Sequence, residues 1–487
     1  MSPALILFVV LAYFLVLMLV AHFTGRNASN AGFFTGNRNA NWLVVAFGMI
    51  GTSLSGVTFI SVPGAVYSGS FEYMQVVFGY LAGYMVIAFV LLPLYYKLKL
   101  TSIYQYLEDR FGTYSYKTGA IFFLISRILG ASFRLYLVAS VLQVFVLGNW
   151  GISFEWTVFL SIAFIWIYTH RGGIKTIIWT DTLQTLFMLL AVGATIVLIA
   201  QKMEWDAISL TTAIIESPFA NMFNTESVLN KSHLIKQFIG GAFIAICMTG
   251  LDQDMMQKNL SCKNLKEARW NMISFSTVLV FVNLFFLALG ALLFIYANQQ
   301  NMALPERMDH VYPMIALQGS LGTGVGVLFI LGLVAAAYSS ADSALTALTT
   351  SFCFDILEAN KKGEQQLAKT KKRVHIGMSV LLFFVMVIFH NLTNQSVINE
   401  LLTVATYSYG PLLGLYAFGM FTNIQVRDKW VPVICLLAPF LGYLLTQIIH
   451  TFGYEFGYEL LVLNGLITML GLYSARTQLV EGVARNE

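Results

Sequence analysis

The densest chemistry in the sequence is a carboxylate set among hydroxyls inside an apolar run. Between Leu331 and Thr350 alanines alternate with hydroxyl residues, and Ser339, Asp342, Ser343 and Thr346 fall at i, i+3, i+4 and i+7, on one helical face. Close helix packing accounts for the alanines and leaves Asp342 unexplained, since a carboxylate at bilayer depth is functional by default. Oxygens so grouped suit a hard monovalent cation, whose lost hydration carbonyl, hydroxyl and carboxylate oxygens replace.

Such a cation needs freed carbonyls as well, and the stretch from Phe47 to Ser68 is built to supply them. Gly48, Gly51, Gly56 and Pro63, with Thr52, Ser53, Ser55 and Thr58 between them, make poor material for an unbroken helix in an otherwise apolar segment. In lipid an unwound segment is tolerated only where its polar groups are buried in protein or line a cavity, as in the discontinuous helices of secondary transporters.

The elements that hold these groups are membrane spans. Of 487 residues, 57% are hydrophobic and only 11% charged, against about 25% charged in a soluble domain. Runs of about 20 apolar residues place about thirteen transmembrane helices: 3–22, 42–67, 73–96, 118–147, 154–169, 176–200, 236–256, 271–297, 321–352, 376–391, 398–421, 430–450 and 457–474. The fold class expected is all-α and polytopic, in one transporter domain over 1–487. One set of loops then holds Arg26, Arg38, Lys97, Lys99, Arg110, Lys117, Arg171, Lys175, Lys258, Lys263, Lys266, Arg269, the basic loop from Glu358 to His375, Arg427, Lys429, and Arg476 with Arg485 in the tail. The opposite set holds only Lys202, Lys231, Lys236 and Arg307. By the positive-inside rule the N-terminus is outside and the C-terminus cytoplasmic, in a plasma membrane that is expected to be a bacterial inner membrane. The first run lacks a basic n-region and a cleavage site, so a retained helix is expected. No disulfide is expected of Cys247, Cys262, Cys353 and Cys435, and the connection from Gln201 to Leu234 is expected to carry a short surface helix.

Spans two to six and seven to eleven make two units of five. An odd number forces the second unit to start from the opposite face, which gives a 5+5 inverted repeat (42–200 and 236–421), one extra helix before it (3–22) and two after it (430–474). The counterpart of the broken second span is the seventh, where Gly240, Gly241 and Gly250 interrupt Phe238 to Gln257. Arg127 and Arg134 lie seven apart inside the fourth span, on one face, and each faces either a substrate or an internal carboxylate such as Asp181 or Asp342.

Five runs in order carry a family resemblance: Gly56-Val-Thr-Phe-Ile-Ser-Val-Pro-Gly-Ala-Val-Tyr67, Arg171-Gly-Gly-Ile-Lys-Thr-Ile-Ile-Trp-Thr-Asp181, Asp252-Gln-Asp-Met-Met-Gln-Lys-Asn-Leu260, Ala335-Ala-Ala-Tyr-Ser-Ser340 and Tyr409-Gly-Pro-Leu-Leu-Gly-Leu-Tyr-Ala-Phe-Gly-Met-Phe421. On these the chain resembles the sodium/solute symporter family with its LeuT-type fold, over nearly its whole length, and is nearest in pattern to the bacterial sialic acid and sugar symporters. The resemblance implies a main sodium site of the carbonyls of Gly51, Leu54 and Ala336 with the hydroxyls of Ser339 and Ser340. Some members of the family hold a second sodium between the sixth and ninth spans, and the matching positions here are Asp181, Ser339, Asp342 and Ser343. The sialic acid pattern has serine where this chain has Asp342, and that extra carboxylate is open to three roles: a stronger second site, a proton carrier, or a counter-ion for Arg127 or Arg134. For the solute the resemblance points to Ser55, Thr58, Tyr73, Gln75, Asp252 and Gln253. Gly130 stands where the sialic acid transporters have a carboxylate-binding arginine, with Arg127 and Arg134 a turn to either side; a guanidinium fork fits a carboxylate.

The function so implied is sodium-coupled symport of a small polar organic solute by alternating access, with a carboxylate or acidic sugar favoured by Thr58. A sugar, amino acid or vitamin symporter and a proton-coupled transporter are the alternatives. Its partners are the solute, sodium as the coupling ion and the lipid bilayer, with neither nucleic acid nor an obligate protein partner implied. An enzyme would need a nucleophile, metal cluster or grouped histidines, and the sequence has no H-E-x-x-H and no G-x-S-x-G. A membrane sensor is disfavoured by the short tail after Ser474.

Overall fold

The computed structural model describes residues 2–25, 30–318, 321–361, 363–392 and 404–477. The start of the eleventh expected span (398–403), Arg26, Lys362 and the tail bearing Arg485 lie outside them. The helices that position the site are, in chain order, α1 (Pro3–Gly25), α2 (Trp42–Ser53), α3 (Gly56–Gly69), α4 (Tyr73–Val86), α5 (Thr113–Phe145), α6 (Phe154–Gly172), α7 (Ile174–Lys202), α8 (Leu234–Ala245), α9 (Gln253–Asn259), α10 (Leu265–Gln299), α11 (Thr323–Ser351) and α12 (Gly410–Phe421). Two isolated β-bridges, Ala40 with Cys262 and Val426 with Arg476, tie loops together.

Among the described residues eight helices are long and apolar enough to cross a bilayer, or ten if each of two sharply bent pairs is one span. Three shorter apolar helices start at Phe154, Gly410 and Leu460, where the fifth, eleventh and thirteenth spans are expected. A count of thirteen requires all three to cross as well.

The bent pairs are the two segments whose glycines and hydroxyls disfavour a continuous helix. α2 and α3 meet at 56°, because Leu54 (ψ 76°) and Ser55 (ψ 177°) leave helical geometry; regular bonding resumes when Phe59 N–H donates to Ser55 O at 3.0 Å. The segment Leu234–Gly250 meets α9 at 70°. There a π turn over Ile246–Gly250 ends the first half, and extended Asp252 caps the second by accepting from the N–H groups of Asp254 and Met255.

Around these breaks α11 is the axis: every residue from Gly332 to Ser351 is buried. It packs along α7, which also packs on α2, while α8 lies along α4. The last contact is glycine-made. A Cβ on Gly79 would strike the Phe238 carbonyl, and one on Gly241 the Val76 carbonyl, so the two backbones touch as small residues permit. The Gln201 to Leu234 connection carries a helix over Ala207–Ile215, N-capped by Asp206.

Candidate functional site

Where α2 stops, its last carbonyls turn toward α11. Ser339 Oγ donates to Gly51 O at 2.9 Å and lies 3.5 Å from Ala336 O, and Ser340 Oγ donates to Thr52 O at 3.3 Å. Gly51, Thr52, Ala336, Ser339 and Ser340 are all buried. Hydroxyls rotate, so each can turn from donating to presenting lone pairs, and carbonyls with hydroxyls make the oxygen shell a hard cation takes. Four of the five positions expected for the main sodium are thus brought together, with the Thr52 carbonyl beside them. Leu54 stands at the break itself, its N–H bound to Ile50 O at 2.8 Å, and faces the adjoining cavity.

Asp181, Asp342 and Ser343 are neighbours too, but an ammonium lies among them. Lys258 Nζ is 2.6 Å from Asp181 Oδ2 and 2.7 Å from Ser343 Oγ, and it donates to Thr52 Oγ1. Thr52 Oγ1 in turn donates to Asp181 Oδ2 at 3.0 Å. The sequence places Lys258 with the cytoplasmic loop lysines; the structure leaves it only 1% exposed. The 70° bend before α9 keeps the helix within the bundle, and Asp181 supplies the counter-charge that makes a buried ammonium tolerable. Asp342 accepts from Tyr168 OH at 2.9 Å and from the Ser343 N–H, and among the described residues no basic group lies within ion-pair distance of it.

The two α5 arginines part company. Arg127 pairs with Asp254, and its Nη1 is 3.7 Å from Asp252 Oδ2, which also accepts from Tyr409 OH at 2.6 Å. Its internal partner is therefore neither Asp181 nor Asp342, because the cap of α9 lies nearer. Arg134 has no carboxylate within ion-pair distance among the described residues, and its Nε is buried without a hydrogen-bond partner. It lines a cavity, partly open to solvent, at the α2/α3 break.

Ser55, Thr58, Tyr73 and Arg127 line the same cavity, as do Thr249 and Asn283. Asp252 is held behind Arg127. Gln75 and Gln253 point elsewhere: Gln75 Nε2 donates to Ser232 O at 3.2 Å and its Oε1 accepts from Asn224 N–H at 3.1 Å. Gln253 pins the loop before α5 through Ile103 N–H and Thr101 O, both at 2.9 Å. The residues that sequence reasoning missed are Thr52, Tyr168, Asp254, Lys258 and Tyr409. A signal existed for one of them: Lys258 follows Asp254 at i+4, two residues past the drawn end of the seventh span.

The model of the Sodium:solute symporter family matches residues 33–425. The sodium/sialic acid symporter NanT of Aliivibrio fischeri (strain ATCC 700601 / ES114) is 28% identical over 426 residues, covering 85% of this chain and 82% of that protein. The sodium/sialic acid symporter SiaT of Proteus mirabilis (strain HI4320) is 27% identical over 428 residues, covering 85% and 84%. A solved structure of a Na+-coupled sialic acid symporter, substrate-bound and outward-open, superposes with a TM-score of 0.84 at 21% identity over 97% of this chain and 99% of that one.

Proposed function

Since the chain belongs to the sodium:solute symporter family, we propose that it carries a small carboxylate-bearing solute, an acidic sugar of the sialic acid class first among them, in the cavity beside the α2/α3 break. It is a multi-pass membrane transporter coupled to sodium and not an enzyme. The observation that carries the solute class is Arg134: a guanidinium in the cavity wall, with no carboxylate within ion-pair distance among the described residues, is matched by a carboxylate on the solute. Ser55, Thr58 and Tyr73 add hydroxyls along the same wall.

In this reading Gly51, Leu54, Ala336, Ser339 and Ser340 hold the coupling sodium. The same break serves both ligands, sodium on the α11 side and solute on the α5 side, so each stabilises the geometry the other needs. The five-helix units 42–200 and 236–421 then rock against each other, with the N-terminus outside and the C-terminus inside a bacterial inner membrane. The basic asymmetry of the loops supports that orientation after Lys258 is withdrawn from the count.

Uptake of radiolabelled sialic acid into proteoliposomes, with competitors, tests this. Uptake should require an inward sodium gradient and be competed by carboxylates more than by their neutral counterparts. Uptake unchanged with choline in place of sodium, or equal competition by neutral sugars, would remove the reading.

A further inference from the structure

We propose that Lys258 is a built-in cation: its ammonium fills the place of a second sodium, so that one sodium is the only ion exchanged with each solute. An alkylammonium is a compact monovalent charge with three donors, and here Asp181, Ser343 and Thr52 take all three. These partners come from α7, α11 and α2, while Lys258 comes from α9, so one charge joins four helices, two from each five-helix unit. A free ion bridging the same oxygens would do the same work and then leave; the lysine stays. A sodium at Asp181 Oδ2 would meet an ammonium already 2.6 Å from that oxygen, and the repulsion of two like charges at one oxygen disfavours it. Asp342 turns its oxygens to Tyr168 and Ser343 and, among the described residues, is not within ion-pair distance of the ammonium.

This role for Lys258 rests on reading Gly51, Ala336, Ser339 and Ser340 as the sodium site, and it is independent of which solute is carried. Equilibrium binding of radioactive sodium to the purified full chain, at ionic strength held constant with choline chloride and without solute, counts the ions directly. The wild type should bind one sodium per chain with hyperbolic dependence. Lys258→Ala removes head and stem and should raise the count to two, while Asp181→Asn combined with Lys258→Met, which removes both charges, should return it to one. Two sodium ions on the wild type, or one on a monodisperse Lys258→Ala protein, would overturn the proposal. No sodium on the wild type would remove the main site and this role with it, whereas two would leave the main site standing. Where Lys258→Ala does not fold, the wild-type count decides alone.

Discussion

At the break between α2 and α3 the carbonyls of Gly51 and Thr52 meet neutral hydroxyls of α11, whereas at the break before α9 the chain brings its own charges. Asp252 caps the new helix, Tyr409 and Arg127 hold its carboxylate, and Asp254 pairs with the guanidinium. The first break can rotate its hydroxyls from the carbonyls to present lone pairs to an ion with little electrostatic penalty. The second already holds two buried carboxylates against one guanidinium, so removing Arg127 strands both in a buried site. An unwound helix is therefore not by itself an ion site; its neighbours decide whether its polar groups are offered or taken.

The sharpest break in that contrast is Arg127→Met, which leaves Asp252 and Asp254 buried without their cation. It should cost about 3–5 kcal/mol of stability, read as a large drop in thermal unfolding temperature in detergent; wild-type stability would mean that the second break is not held by charge. Arg134→Ala, seven residues on, should behave oppositely. Stability should change little, while loss of a charge-assisted contact of about 1.5–3 kcal/mol raises the half-saturating solute concentration by roughly 10- to 150-fold, measured by uptake, with Arg134→Lys recovering part. At the first break, Ser339→Ala with Ser340→Ala should raise the half-saturating sodium concentration about tenfold, equivalent to about 1.4 kcal/mol. An unchanged sodium dependence would take both hydroxyls out of the site.

The smallest effect belongs outside the bundle. Lys361 at 2.7 Å and Lys117 at 3.4 Å hold the Glu358 carboxyl below its ordinary value, chiefly through the hydrogen bond from Lys361. A lowered folded-state value stabilises above the unfolded one and is lost as pH falls through it. Glu358→Gln should thus alter unfolding less than any variant above, and only away from strong acid. A large effect there would show that surface charge rather than the breaks sets stability.

Much of this architecture was legible because it is written locally. Gly51, Ser53, Ser55 and Gly56 mark the first break, Gly240, Gly241 and Gly250 the second, and the i, i+3, i+4, i+7 spacing puts Ser339 beside Asp342 and Ser343. The face shared by Arg127 and Arg134 could also be read from spacing. What decides their fates could not, because Asp252 and Asp254 arrive from another span through a bend whose 70° no propensity encodes. Lys258 was misplaced for a related reason: a hydropathy run ends at the first charges, and Asp252, Asp254 and Lys258 look like a span leaving the membrane. They are instead partners for groups on α5 and α7. Gln75 and Gln253 were drawn to the cavity by resemblance, and their amides instead satisfy loop backbone.

The ammonium of Lys258 also bears on what the membrane voltage can do. A monoanionic solute entering with a single sodium moves no net charge, so a potential worth roughly 2.3 kcal/mol per charge per 100 mV drops out of the driving force. The accumulation ceiling is then the sodium gradient alone: a gradient of about tenfold sustains about tenfold solute. A depolarised cell would retain the solute as well as a polarised one.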